Sequence, residues 1–164
     1  MQTIPAIGQI NAQNSIDQLV EDFFLKLSPK HIEKSLLDSL GIAMSKDIND
    51  YDGKTIADQL WVIRQVSDFV LDIEKNWGGS FDNPGKNGCV NYEQASNYLF
   101  DNFTAKDLKI GLFDIFICLT DTKEEPDLSR INIWIFYIKM SIEFIEICFK
   151  IRAKKLNESK QKQS

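Results

Sequence analysis

Carboxylates are the side chains of this sequence that crowd closely enough to suggest chemistry. The stretch DINDYDGKTIADQL, Asp47 to Leu60, gathers Asp47, Asp50, Asp52 and Asp58 around Asn49 and Gly53. Oxygen donors about a sharp glycine turn are what a calcium loop uses, with ligands at positions 1, 3, 5 and 12 and glycine at position 6. With Gly53 in the sixth place, Asp50 and Asp52 take the third and fifth, but Ile48 falls first and Gln59 twelfth. The anchoring carboxylate and the bidentate carboxylate are both missing. A second loop, GGSFDNPGKNGCVN, repeats the spacing about Gly88 with Asn83 first, Asn87 fifth and Gln94 twelfth, and carries almost no negative charge. Both stretches therefore read as approaches to helices, acidic side chains complementing the positive N-terminal end. A calcium-responsive helical module binding at Asp47, Asn49, Asp50 and Asp52 is one alternative.

Glu143 and Glu146 form an ExxE pair on one helix face and suit a hard metal if another helix supplies further acids, such as Asp68 or Asp72. A carboxylate-based metal-dependent enzyme is thus a second alternative. All-helical nucleotide pyrophosphatases use such pairs but need a second ExxD downstream, where only Glu158 follows. The plainer reading is a polar seam with Lys139 and Lys150 at i,i+4 spacing. Other chemistries lack their residues. His31 is the single histidine, placed in the first turn of a helix without HExxH or ExxH spacing. Cys89, Cys118 and Cys148 lie too far apart for a zinc site and read as small apolar side chains. The run Gly79 to Asn87 resembles a phosphate loop only loosely: its glycine spacing is one residue too long, Asn87 replaces the magnesium-binding hydroxyl, and a helix precedes it. We therefore expect no catalytic residue, no metal site and no cofactor.

The elements that would position these groups are helical. Apolar positions Ile16, Leu19, Val20, Phe23, Phe24 and Leu27 follow a helical period from Ser15, with Gln18 in the capping-box position. Ser28-Pro29 opens a second helix through Ile32, Leu36 and Leu40 to Gly41. Thr55 with Asp58 starts a third, striped by Ile56, Leu60, Ile63, Val66, Val70, Ile73 and Trp77 and stopped by Gly78-Gly79. Asn91 with Gln94 and Thr104 with Asp107 start two more. From about Asp127 to Leu156 we expect one long, largely buried helix, its charges Lys139, Glu143 and Glu146 opposing a membrane span. Among the aromatics, Trp77, Phe81 and Tyr92 read as core and Tyr51 as exposed. The expected fold is an all-α, compact, single-domain helical bundle of five to seven helices over residues 15–156. Residues 1–14 are expected to be irregular and the polar tail 157–164 disordered.

Charge narrows the partners. Residues 1–127 carry 21 acidic and 11 basic side chains, net −10, whereas 128–164 carry 3 and 8, net +5. An acidic body repels phosphates, so direct nucleic-acid binding is not expected. A basic protein is the better complement. With an odd cysteine count and no secretory leader, the chain is expected in the cytoplasm. The sequence thus points to a non-catalytic protein-binding protein, an acidic inhibitor or immunity protein that occludes the active site of a basic toxin or nuclease. Its expected contacts are Asp47, Asp50, Tyr51, Asp52, Glu124, Glu125 and Asp127.

Overall fold

A computed structural model describes the backbone of residues 7–45, 53–79, 84–120 and 126–162, and the side chains of these from Ile16 onward except 119–120. Among the described residues there are six helices and no strand: α1 (Ile7–Lys26), α2 (Pro29–Ser45), α3 (Gly53–Asn76), α4 (Tyr92–Phe100), α5 (Ala105–Thr120) and α6 (Leu128–Gln161). The all-α bundle with a long C-terminal helix is therefore observed.

Capping chemistry sets several helix starts where the sequence places them. The Asn91 side chain accepts from the Gln94 N–H at 2.9 Å, and Gln94 Oε1 reaches back to the Val90 N–H at 2.9 Å. At α5, Thr104 Oγ1 accepts from the Asp107 N–H while Asp107 Oδ2 accepts from the Thr104 N–H, a reciprocal capping box. Four boundaries differ from expectation. α1 starts at Ile7, inside the segment read as irregular. α2 runs past Gly41 to Ser45 because Ile42 and Ala43 are buried, which outweighs the roughly 1 kcal/mol that a helical glycine costs against alanine. α3 starts at Gly53 rather than Thr55. α6 continues to Gln161, through most of the tail read as disordered. Elongating an existing helix is cheap once it is nucleated, and Lys, Glu and Gln are good helix formers.

α6, 34 residues and about 50 Å long, is the spine. Its middle buries Trp134, Ile138, Phe144, Ile145, Cys148 and Ile151. α1 lies antiparallel to its C-terminal half, where Lys155 meets Asp17 at 2.6 Å, Arg152 meets Glu21 at 2.8 Å, and Phe149 meets Phe24 edge-on. These two ion pairs tie α6 to α1. α5 lies antiparallel to the N-terminal half of α6: Phe103 touches Tyr137, and Asp114 holds Arg130. The close approach requires Gly111, since a β-carbon there would overlap the edge of the Tyr137 ring. α3 and α5 are also antiparallel, the Ala105 N–H donating to Glu74 Oε1 at 2.9 Å and Lys109 facing Asp68. Phe23, Phe69 and Phe144 join α1, α3 and α6, with Phe23 and Phe69 stacked at 4.0 Å. Of the stripe expected on α3, Ile63, Val66, Val70 and Ile73 are buried; Ile56, Leu60 and Trp77 are half-buried. Tyr92 is core, as expected.

Candidate partner-binding site

The antiparallel arrangement has one consequence for the acidic segments. Because α3 and α5 run in opposite directions, the start of α3 and the end of α5 share one end of the bundle, and the pairing of α5 with α6 brings Leu128 there too. Segment 46–52 leads directly into α3, and 121–127 joins α5 to α6. Together they hold Asp47, Asp50, Asp52, Asp121, Glu124, Glu125 and Asp127 against Lys46 and Lys123. Both therefore attach to the same end, while Lys154, Lys160 and Lys162 stand at or beyond the opposite end of α6.

Of the expected contact residues, Asp47, Asp50, Tyr51, Asp52, Glu124 and Glu125 lie outside the described residues, as does Phe81. Asp127 is exposed and caps α6, its Oδ1 accepting from the Arg130 N–H at 2.8 Å. That carboxylate has a structural partner and still faces solvent. The calcium-type loop has only its second half described: Gly53 opens α3, Asp58 is exposed and Gln59 is buried.

Glu143 is better held than sequence reasoning suggests. The Tyr98 hydroxyl donates to its Oε2 at 2.6 Å, and Lys86 Nζ lies 3.0 Å from its Oε1 and 3.7 Å from Glu146. Burial alone would push the Glu143 carboxyl up; the bonds from Tyr98 and Lys86 outweigh it and hold the group below its usual value. The Tyr98 phenol is pushed up to about 12, first by burial and then by donating to Glu143. This is a carboxylate kept charged by its donors, unlike a general acid, which is kept protonated. Lys86, from the loop before α4, thus joins the expected seam as the direct partner of Glu143, while the charge of Lys139 also helps hold that carboxyl low.

The metal alternative needed Glu143 and Glu146 beside Asp68 or Asp72. The two aspartates lie elsewhere, along a groove of about 300 Å³ between α1 and α3 with Asp22, Lys26 and Gln65. Asp68 faces Arg64 and Lys109, and Asp72 binds Lys75 at 2.8 Å. The four acids are not brought together, because α3 turns its polar edge to α1 while the Glu143 edge of α6 faces α2 and α4. Among the described residues no group of three or more His, Cys, Asp and Glu side chains is placed to hold a metal ion. His31 is exposed on the first turn of α2, its N–H directed at Ser28 Oγ. Burial pushes the Cys148 thiol far up, which disfavours a nucleophilic thiolate.

A functional-looking cluster that sequence reasoning missed joins α5 to α6. Arg130 grips Asp114 with two bonds, at 2.8 Å and 2.7 Å, and the buried Trp134 Nε1 donates to the same carboxylate at 2.8 Å. The Arg130 guanidinium also lies over the Trp134 ring. These contacts, led by the Arg130 bond and opposed by burial, hold Asp114 below the ordinary carboxylate range. Arg130 and Trp134 at i,i+4 were the available signal. The cluster acts as a staple between α5 and α6. No known family, curated protein or solved structure matches the chain. The described residues thus define an all-α bundle with a long C-terminal helix. No helix among the described residues is long and apolar enough to cross a membrane.

Proposed function

We propose that the chain is a non-catalytic protein-binding protein that uses the acidic end of its bundle to cover a basic site on another protein. The sharing of one bundle end by the start of α3, the end of α5 and the start of α6 supports this most strongly, because the two acidic stretches 46–52 and 121–127, far apart in sequence, are joined to those helix ends. Carboxylates of these segments can occupy positions that a basic enzyme reserves for substrate phosphates, and opposite charge speeds the encounter before contact. A toxin or nuclease with a cationic active site is the kind of partner that fits, and inhibition by occlusion, as by an immunity protein, is the consequence. Cytoplasmic residence belongs to the same reading. Rigid helices behind both segments reduce the ordering cost of binding.

The test is the association rate with the basic partner, measured by stopped-flow at several salt concentrations. Reversing Glu124 and Glu125 to lysine, and leaving Asp127 in place because it caps α6, should slow association by roughly tenfold and flatten its salt dependence, while helix content is retained. Equal rates for parent and variant would reject the assignment of this end.

A further inference from the structure

One stripe of α6 is only partly covered by the fold, Phe149 meeting Phe24 of α1 and Ile142 touching the core, and the proposed site does not use it. Leu128, Ile135, Ile142, Phe149 and Leu156 recur every seven residues along the described helix. Four of them remain substantially exposed, at 79%, 44%, 40% and 42% for Leu128, Ile135, Phe149 and Leu156, and Ile142 is half-buried. A seven-residue apolar repeat drifts about 20° per heptad around a straight helix, so it stays in register with a second helix that coils against it with a left-handed twist. α2 extends this surface: Leu37, itself 47% exposed, and Leu40 line the other wall of an open groove of about 330 Å³ that includes Ile135 and Ile142.

Charge identifies the occupant. Four residues after each stripe position stand Asn132, Lys139, Glu146, Ala153 and Lys160. In an antiparallel pair of such helices these flanking positions face each other across the seam. The stripe is symmetric about Ile142, so an antiparallel second α6 with its two-fold axis at Ile142 sets Leu128 against Leu156 and Ile135 against Phe149. The same register sets Lys139 against Glu146 of the second copy, twice by symmetry, and Asn132 against Ala153. No like charges meet there. Lys139 is exposed, and Glu146, 41% exposed, holds Lys86 only at 3.7 Å, so both can serve a new pair. A parallel pair would instead set Lys139 near Trp134 and Glu146 near Ser141 of the second copy and form no ion pair.

We infer that α6 is a self-association surface, and that the chain forms an antiparallel two-fold dimer with α6 against α6 centred on Ile142. An isologous contact of this type closes on itself and leaves the two acidic ends at opposite extremes, open to partners. The inference stands apart from the proposed partner site, since it uses none of its carboxylates.

Sedimentation velocity on the full chain, from low micromolar concentration upward, tests it. The parent should dimerise. Lys139→Glu and Glu146→Lys should each weaken the dimer by roughly tenfold or more, because each single change creates two like-charge contacts, and the double variant should regain most of the loss. Ile142→Cys, oxidised, should give a covalent dimer in which the two introduced thiols are joined. A parent that stays monomeric at all concentrations, or a double variant no better than the singles, would overturn the proposal. Circular dichroism of each variant separates loss of pairing from loss of fold.

Discussion

Replacing Asp114 with alanine tests the packing of the bundle at its tightest polar contact. The substitution removes two bonds from Arg130 and one from the Trp134 indole. Trp134 is fully buried, so its N–H loses its acceptor where water does not reach, at a cost of about 1–3 kcal/mol. The Arg130 side chain is 29% exposed and can recover part of its hydration, which limits the further loss to about 1 kcal/mol. The total, about 2–4 kcal/mol, is a large part of the stability of a domain this size. Asp114→Asn keeps an acceptor for the indole while losing the charge pair, and should cost about 1 kcal/mol. Urea unfolding followed by far-ultraviolet circular dichroism measures both, and Trp134→Phe completes a cycle: without the indole donor, Asp114→Ala should cost at least about 1 kcal/mol less. A loss under about 0.5 kcal/mol for Asp114→Ala, or one unchanged in the phenylalanine background, would refute the reasoning.

The same cluster gives a pH dependence. Arg130 holds the folded-state pKa of Asp114 below its unfolded value, so near pH 4 the unfolded chain binds more protons. Its contribution is complete above the unfolded value and is lost as pH falls through the folded one; the acid limb of the stability curve should be shallower in Asp114→Asn. Gly111→Ala should destabilise by about 1–2 kcal/mol, because the overlap with Tyr137 exceeds the roughly 1 kcal/mol gained in helix propensity, and Tyr137→Leu should recover part of it in a thermal melt. Lys86→Met should raise the pKa of Glu143, read from its side-chain carboxyl carbon by nuclear magnetic resonance, with a stability loss below about 1 kcal/mol because Tyr98 still donates. Ser67→Ala should stabilise by about 0.5–1 kcal/mol in chemical unfolding, since that hydroxyl is fully buried on α3 without a partner among the described residues.

Local rules made the helices legible, and they failed where tertiary contacts overrode them. The Asn91–Gln94 and Thr104–Asp107 signals act within three residues, so the sequence alone locates the starts of α4 and α5. Gly41 looked like a stop because its intrinsic cost is local, whereas the burial that carries α2 across it depends on other helices. The pairings of Lys86 with Glu143, 57 residues apart, and of Arg152 with Glu21, 131 apart, have no local signature. The acidic character of segments 46–52 and 121–127 was readable from composition. Their attachment to one end of the bundle was not, because it follows from the directions in which α3, α5 and α6 pack.

Hydrogen–deuterium exchange on the isolated complex with the basic partner measures the central claim most directly. The account predicts new protection in peptides spanning 46–52 and 121–127 together, with the Lys154–Lys162 end of α6 unchanged. Protection confined to that basic end, or to only one of the two acidic segments, would contradict it.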